Sequence, residues 1–361
     1  MKILFDHQAF GQIIGGVSRS YVELIKHLNP EIEKEISVRY SNNEYIKDIL
    51  PKVSYPFGKL YVPFKRRLVR KENFKYSINR LENSNYDLFH STFDDSYFLP
   101  HVKTPFVITV HDLIPEREPE KWSKYWLNSR KKLFEPASHI IAVSQNTKNE
   151  LLHFYPDISE SKITVIHHGY TTKVIDKTTK DNLYGNYLLY VGGRSGYKNF
   201  NCFIEGIAPI LIANRDLKLI CTGNELSKYE KELLLKLGII DRVIAKRVNE
   251  NTLYTLYKNA LLFIFPSIIE GFGIPILEAW GNGCPIALSK TNCFTEIAGD
   301  AAVYFDATKK DSITEVVKQT LEKHTLRREL IKKGNERIKL FTWEKAAQKL
   351  EQVYKTVLDG K

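Results

Sequence analysis

Cysteine is scarce. The chain has four, Cys202, Cys221, Cys284 and Cys293, with no CxxC or CxxH spacing among them. That excludes a thiolate-ligated zinc module and a disulfide framework, and reads as reduced structural thiols in a cytoplasmic protein. Long apolar runs are missing too, none approaching the roughly 20 residues that span a bilayer. The opening MKILFDHQ reads as the start of a strand, not as a signal peptide. The dinucleotide fingerprint G-x-G-x-x-G is absent, and so is the acidic residue about twenty positions beyond it, which excludes a Rossmann dehydrogenase. No helix-turn-helix or zinc-finger spacing occurs, and no aromatic RNA-binding signature. Acid is in short supply: 42 Asp and Glu stand against 53 Lys and Arg, a formal charge of +11. Nucleic acid, anionic lipid and phosphorylated substrates are the partners such a balance admits.

What is present reads as an α/β protein. At 361 residues, 43% hydrophobic and 26% charged, the chain suits two globular domains, each able to bury its own core. Short apolar strands recur at 2–5, 86–90, 106–110, 140–144 and 163–166, and again at 187–191, 217–221, 243–247, 261–265 and 285–289, with helical segments between them. Strand–helix alternation in each half gives two doubly wound sheets. Polar, aperiodic residues at 170–186 read as the linker.

The most informative stretch is 266–306, PSIIEGFGIPILEAWGNGCPIALSKTNCFTEIAGDAAVYFD. An apolar run stops at Pro266, a two-glycine loop follows, and Pro275 opens a helix where its missing N–H costs nothing. A strand, a glycine loop and a helix N-terminus form an anion-binding device. Glu270 lies on the loop and Glu278 in the first turn of the helix. Either glutamate alone reads as a solvated or dipole-complementing carboxylate. Taken together the run is more specific. Glu270-Gly271-Phe272-Gly273, Pro275, Glu278-Ala279, Gly283, Pro285, Ser289, Glu296, Gly299 to Ala302 and Phe305-Asp306 resemble the signature of retaining nucleotide-sugar glycosyltransferases of the GT-B fold. That is glycosyltransferase family 4, which includes glycogen-synthase-like and bacterial mannosyltransferase enzymes.

Other stretches agree with the resemblance. Asp6-His7-Gln8 and Gly15-Gly16-Val17-Ser18-Arg19 look like the version of the first-strand glycine loop in enzymes of bacterial surface polysaccharides. His111 heads HDLIPE, a form the family shares, in which the histidine points at the donor sugar. His90, at the end of its own strand, reads equally as structural. The adjacent His167 and His168 do not read as metal ligands, because alternate residues of a strand face opposite sides. After the strand at 187–191, Gly193, Arg194 and Lys198 sit on a second glycine loop suited to a diphosphate.

The resemblance implies two Rossmann-like domains facing a central cleft: 1–170 for the acceptor, 171–342 for the nucleotide sugar, and a last helix at 343–361 crossing back to the first. It implies that Arg194 and Lys198 hold the donor's diphosphate, Arg247 precedes the loop at the base, and Glu278 holds the ribose. Glu270 and the amides of Gly271, Phe272, Gly273 and Ile274 would hold the sugar, with His111 opposite and the Gly15–Gly16 loop adding positive potential. No metal and no cofactor are expected, since Asp94-Asp95 reads as a turn and charge stabilisation can come from cations and helix ends. The implied partners are a nucleotide-diphosphate sugar, with a lean to GDP-mannose over UDP sugars, and a saccharide or polyprenyl-linked oligosaccharide acceptor. Nucleic acid is not expected. The segment 59–80 opens on Lys59, closes on Arg80 and carries eight Lys and Arg with interleaved aromatics. It reads either as a solvated helix face or as a contact with anionic membrane, which would place the enzyme on the inner face of the cytoplasmic membrane. The alternatives are a non-catalytic nucleotide- or nucleic-acid-binding α/β protein and a GT-B phosphorylase using free phosphate.

Overall fold

The computed structural model describes residues 1–56, 64–171 and 184–360. The chain divides into two compact units, Met1–Gly169 with Thr342–Lys361, and Tyr170–Phe341. Residues 59–63 of the basic segment and 172–183 of the linker lie outside the described residues.

The first unit holds six parallel strands: β1 (Lys2–Phe5), β2 (Glu33–Ile36), β3 (Leu88–Ser91), β4 (Phe106–Val110), β5 (His139–Ala142) and β6 (Ile163–Val165), in the order β2-β1-β3-β4-β5-β6. Strands β3, β4 and β5 are buried at every position because both faces of the sheet are covered. Along β1, Ile3 and Phe5 join one buried cluster while Leu4 joins the cluster on the opposite face, as the two-residue period of a strand requires. The helices Gly16–His27 and Trp343–Asp359 cover the Ile3 face. The order reverses between β1 and β3, which makes that gap the switch point of the sheet.

The second unit repeats the plan with β7 (Tyr187–Tyr190), β8 (Lys218–Thr222), β9 (Val243–Lys246), β10 (Leu262–Phe265), β11 (Ile286–Ser289) and β12 (Val303–Phe305), in the order β12-β11-β10-β7-β8-β9. Every pairing is parallel. The strand order reverses between β7 and β10, so the loops that leave those two strands meet over the carboxyl edge where open α/β sheets take ligands. Among the described residues no helix is long and apolar enough to cross a membrane.

Candidate functional site

In the second unit the two loops at the switch point are tied together. The Ile268 N–H, beyond β10, donates to the Tyr197 carbonyl, beyond β7, at 2.9 Å. Gly192 takes φ 117°, a conformation that glycine reaches without a Cβ penalty, and turns the chain into the loop. The Tyr190 hydroxyl, from the end of β7, donates to the Gly193 carbonyl at 2.5 Å and holds that loop from below. A single turn, Gly196–Lys198, then presents Lys198. Its Nζ lies 2.5 Å from Glu270 Oε1, on the loop after β10. The sequence thus placed a cation and a carboxylate on separate loops, and the fold brings them into one ion pair at the switch point.

Gly273 takes φ 97° and caps the helix Ile274–Gly281, with Pro275 in its first turn. A Cβ at Gly273 would lie 2.9 Å from the Phe294 ring, so the backbone runs where only glycine fits. The first-turn N–H groups of a helix have no carbonyl within that helix, and Pro275 has no N–H at all. Glu278 lies one turn deeper in the same helix than the first-turn place expected for it, and is buried there; the Tyr257 hydroxyl donates to its Oε2 at 3.2 Å. Burial and the Glu278 charge push the Tyr257 phenol well above its ordinary value, which keeps it a hydrogen-bond donor. Arg247, exposed beyond β9, donates through Nε and an Nη to Asn224 Oδ1 at 3.0 and 2.6 Å.

Arg194 is placed differently from Lys198. Its Nε donates to Glu230 Oε1 at 2.7 Å, and one Nη reaches the carbonyls of Asn224 and Glu225 at 2.8 and 2.9 Å. Glu230 is also the return half of the capping box that Ser227 begins on helix Lys228–Lys236. The planar guanidinium therefore ties the glycine loop to the turn after β8. Sequence reading did not find Tyr257, Glu230 or Ser267. The Ser267 hydroxyl is fully buried beyond β10 with no partner among the described residues. The only signal for it was its place at the carboxyl edge of an apolar strand.

In the first unit the corresponding edge carries Asp6, His111 and the loop after β3. Gly15 caps the helix Gly16–His27, and the hydroxyls of Ser18 and Ser20 close its first turn on the carbonyls of Gly15 and Gly16, at 2.9 and 2.8 Å. His111 follows β4, and its buried Nε2 has no partner among the described residues. Burial pulls its pKa down to about 4, so the ring is neutral at pH 7. His90 is a core residue: Nδ1 meets the Tyr354 hydroxyl at 2.6 Å and Nε2 the Thr109 hydroxyl at 2.9 Å.

Asp94 and Asp95, expected as a turn, lie in the loop after β3 and are buried. Arg130 is 2% exposed. It pairs with Asp94 and with Glu116, the latter at 2.6 Å, and donates to the Asp112 carbonyl at 2.7 Å. A buried arginine needs such partners because an unpaired charge there is costly. The fold supplies them from the loops after β3 and β4.

Two sequence-family profiles match the chain: Glycosyltransferase Family 4 over residues 14–174 and Glycosyl transferases group 1 over residues 172–337. The chain belongs to glycosyltransferase family 4. The transferase is 25% identical to O-antigen chain mannosyltransferase B of Escherichia coli, over 98% of this chain and 100% of the relative. It is 28% identical to the O-antigen chain mannosyltransferase RfbU of Salmonella typhimurium, over 58% of this chain and 59% of that one. Among solved structures, Anabaena HepE in complex with UDP and glucose matches at a TM-score of 0.77 and 17% identity, over 99% of this chain and 100% of that one. The sucrose-phosphate synthase of Thermosynechococcus elongatus matches at 0.74 and 18% over the whole of both chains. These likenesses place the transferase in the GT-B fold, as its two Rossmann-like sheets do.

Proposed function

We propose that the transferase moves a hexose from a nucleoside-diphosphate sugar, with retention of anomeric configuration, to a saccharide or lipid-linked saccharide of a cell-surface polysaccharide. The observation that carries this reading is the Lys198–Glu270 pair at the switch point of the second sheet. A diphosphate entering there meets the Lys198 ammonium, and Glu270, relieved of its partner, becomes an acceptor for sugar hydroxyls. Glu278, whose Oε2 accepts the Tyr257 hydroxyl, is suited to the ribose. The bond from the anomeric carbon to the phosphate oxygen breaks as the acceptor oxygen bonds that carbon on the same face, and the departing phosphate takes the acceptor's proton. Charge grows on the leaving diphosphate, so Lys198 and the N-terminus of helix Ile274–Gly281 are the groups that lower the barrier, without a metal. His111, neutral at pH 7, contributes hydrogen bonding rather than charge. Arg194, already engaged with Glu230, shapes the loop.

The mannosyltransferase names of the relatives favour a GDP-mannose-type donor over the UDP seen with HepE. Helix Lys65–Asn83 leaves Arg66, Arg67, Leu68, Arg70 and Lys71 exposed. Such a face suits an anionic membrane that would bring a lipid-linked acceptor to the enzyme.

The deciding experiment is a thermal-shift panel of GDP, UDP, ADP, dTDP and NAD, with and without magnesium. A nucleotide at a hundred times its dissociation constant stabilises by about 2.7 kcal/mol. We expect one nucleoside diphosphate to do so, indifferent to magnesium, with the shift lost in Lys198→Ala and in Glu278→Ala. A shift with NAD alone, or with no diphosphate, would remove the donor reading.

A further inference from the structure

The first unit carries a row of aromatic rings that runs from the surface to His111. Trp122 precedes Ser123, whose hydroxyl accepts the Trp126 backbone N–H at 3.2 Å and caps helix Lys124–Phe134. The cap fixes Trp122 and Trp126 four positions apart on one side of the helix start, where side chains meet. Their rings lie 6.4 Å apart at 21°. Trp126 lies 5.7 Å from Phe93, on the loop after β3, and Phe93 stacks on His111 at 6.1 Å and 28°.

These rings are not arranged as a core. Trp122 is 40% exposed and the neighbouring Tyr125 60%, with the Tyr125 hydroxyl anchored on Asp95 Oδ1 at 3.1 Å. Two buried polar atoms along the row, Trp126 Nε1 and His111 Nε2, have no partner among the described residues. A buried donor left without an acceptor costs about 1–3 kcal/mol and calls for an explanation. A pyranose supplies what both features lack. Its C–H faces lie flat on aromatic rings, and its hydroxyl rim can hydrogen-bond both nitrogens. An acyl chain offers no oxygen to either.

We propose that Trp122, Trp126 and Phe93 form the platform on which successive sugar rings of the acceptor saccharide lie, directing its terminal residue to His111. This rests on the transferase reading above, but only for the word acceptor; the platform itself binds saccharide whether or not the donor assignment holds.

The test uses the full chain and the indole N–H resonances of its four tryptophans. Mannotriose, maltotriose and chitotriose are titrated separately. We expect at least one to shift the Trp122 and Trp126 signals while those of the buried Trp280 and Trp343 stay in place. Trp122→Ala and Trp126→Ala should each weaken that saccharide by about tenfold, with Trp122→Phe close to wild type. The nucleotide-induced thermal shift should be the same in all variants, which also shows that they fold. A wild type whose indoles ignore all three saccharides would overturn the proposal, as would binding unaltered by both alanine variants. So would loss of binding to phosphatidylglycerol vesicles in Trp122→Ala with saccharide binding intact, which would make the face a membrane contact. Failure of the nucleotide panel alone would sink the donor reading and leave the platform standing.

Discussion

Asp6 follows β1 with a carboxyl group removed from water and no cation bonded to it. The Thr92 N–H donates to Oδ1 at 2.9 Å and the Gln8 amide to Oδ2 at 2.6 Å, yet burial outweighs them and raises its pKa from 3.8 to about 6. The folded protein therefore keeps a proton that the unfolded chain has released. The stabilisation is complete below about 3.8 and lost as pH rises through about 6. Histidines act in the opposite sense: burial lowers His7 and His90 to about 3, so their neutral forms favour the fold less and less as pH falls below 6.5. The Asp6 contribution must be read as a difference between two proteins. Relative to Asp6→Asn, the wild type should lose roughly 2–3 kcal/mol between about pH 4 and about pH 7 in urea unfolding. A difference that does not change with pH would show that Asp6 is ionised throughout. None of this was legible in Asp6-His7-Gln8, because the shift comes from the Thr92 loop and from burial, both set by the pairing of β1 with β3. Arg194 shows a related limit: the sequence puts a cation on a glycine loop but does not show Glu230, thirty-six residues on, which the fold brings beside it.

Helices succeed or fail on what their inward face meets, and Gly206 is the sharpest case. It lies within helix Phe200–Ala213, where that helix crosses Lys310–Glu322. A Cβ at this position would sit 2.8 Å from the Lys310 carbonyl oxygen and 2.9 Å from Ile313 Cβ, neither of which is the loose end of a side chain. The Gly206 carbonyl also accepts the Thr314 hydroxyl at 2.5 Å, so the two helices are held at that separation. Alanine would gain about 1 kcal/mol of helix propensity and lose about 1–3 to overpacking. Gly206→Ala should lower the melting temperature while leaving the nucleotide shift at Lys198 intact; a stabilised variant would mean that the helices part freely. Elements were readable wherever a strand was buried on both faces, as in Leu262–Phe265, since a short apolar run bounded by breakers reads as a buried strand. β2 escaped because it is an edge strand, Glu33–Ile36, whose glutamates are paired with Lys2 of β1 at 2.7 and 3.3 Å. Its charge looks like loop until its neighbour is known. β12, three residues long, is too short to show a period.

The first unit is built from both ends of the chain. Helix Trp343–Asp359 buries Trp343, Leu350, Val353 and Tyr354 against the cluster that contains Ile3 and Phe5. Its Tyr354 hydroxyl meets His90, and Glu351 accepts the Asn29 N–H at 2.6 Å. At Gly169 any Cβ would strike the Trp343 backbone, so the unit closes on itself around that glycine. The amphipathic spacing of the helix was visible in the sequence, whereas its destination was implied only by the family resemblance, since no local pattern records it. Removing 342–361 would expose apolar surface worth on the order of 10 kcal/mol, comparable with the whole stability of an ordinary domain. A chain ending at Phe341 should therefore lose the first unit and keep the second, which spans Tyr170–Phe341 and retains its buried Leu330 and Phe341. By circular dichroism and calorimetry we expect one of two unfolding transitions to vanish, while the nucleoside diphosphate still raises the other. If both transitions survive, residues 1–169 hold their own core and the last helix is an accessory; if both vanish, the second unit depends on the first for its stability, and the donor half cannot be studied alone.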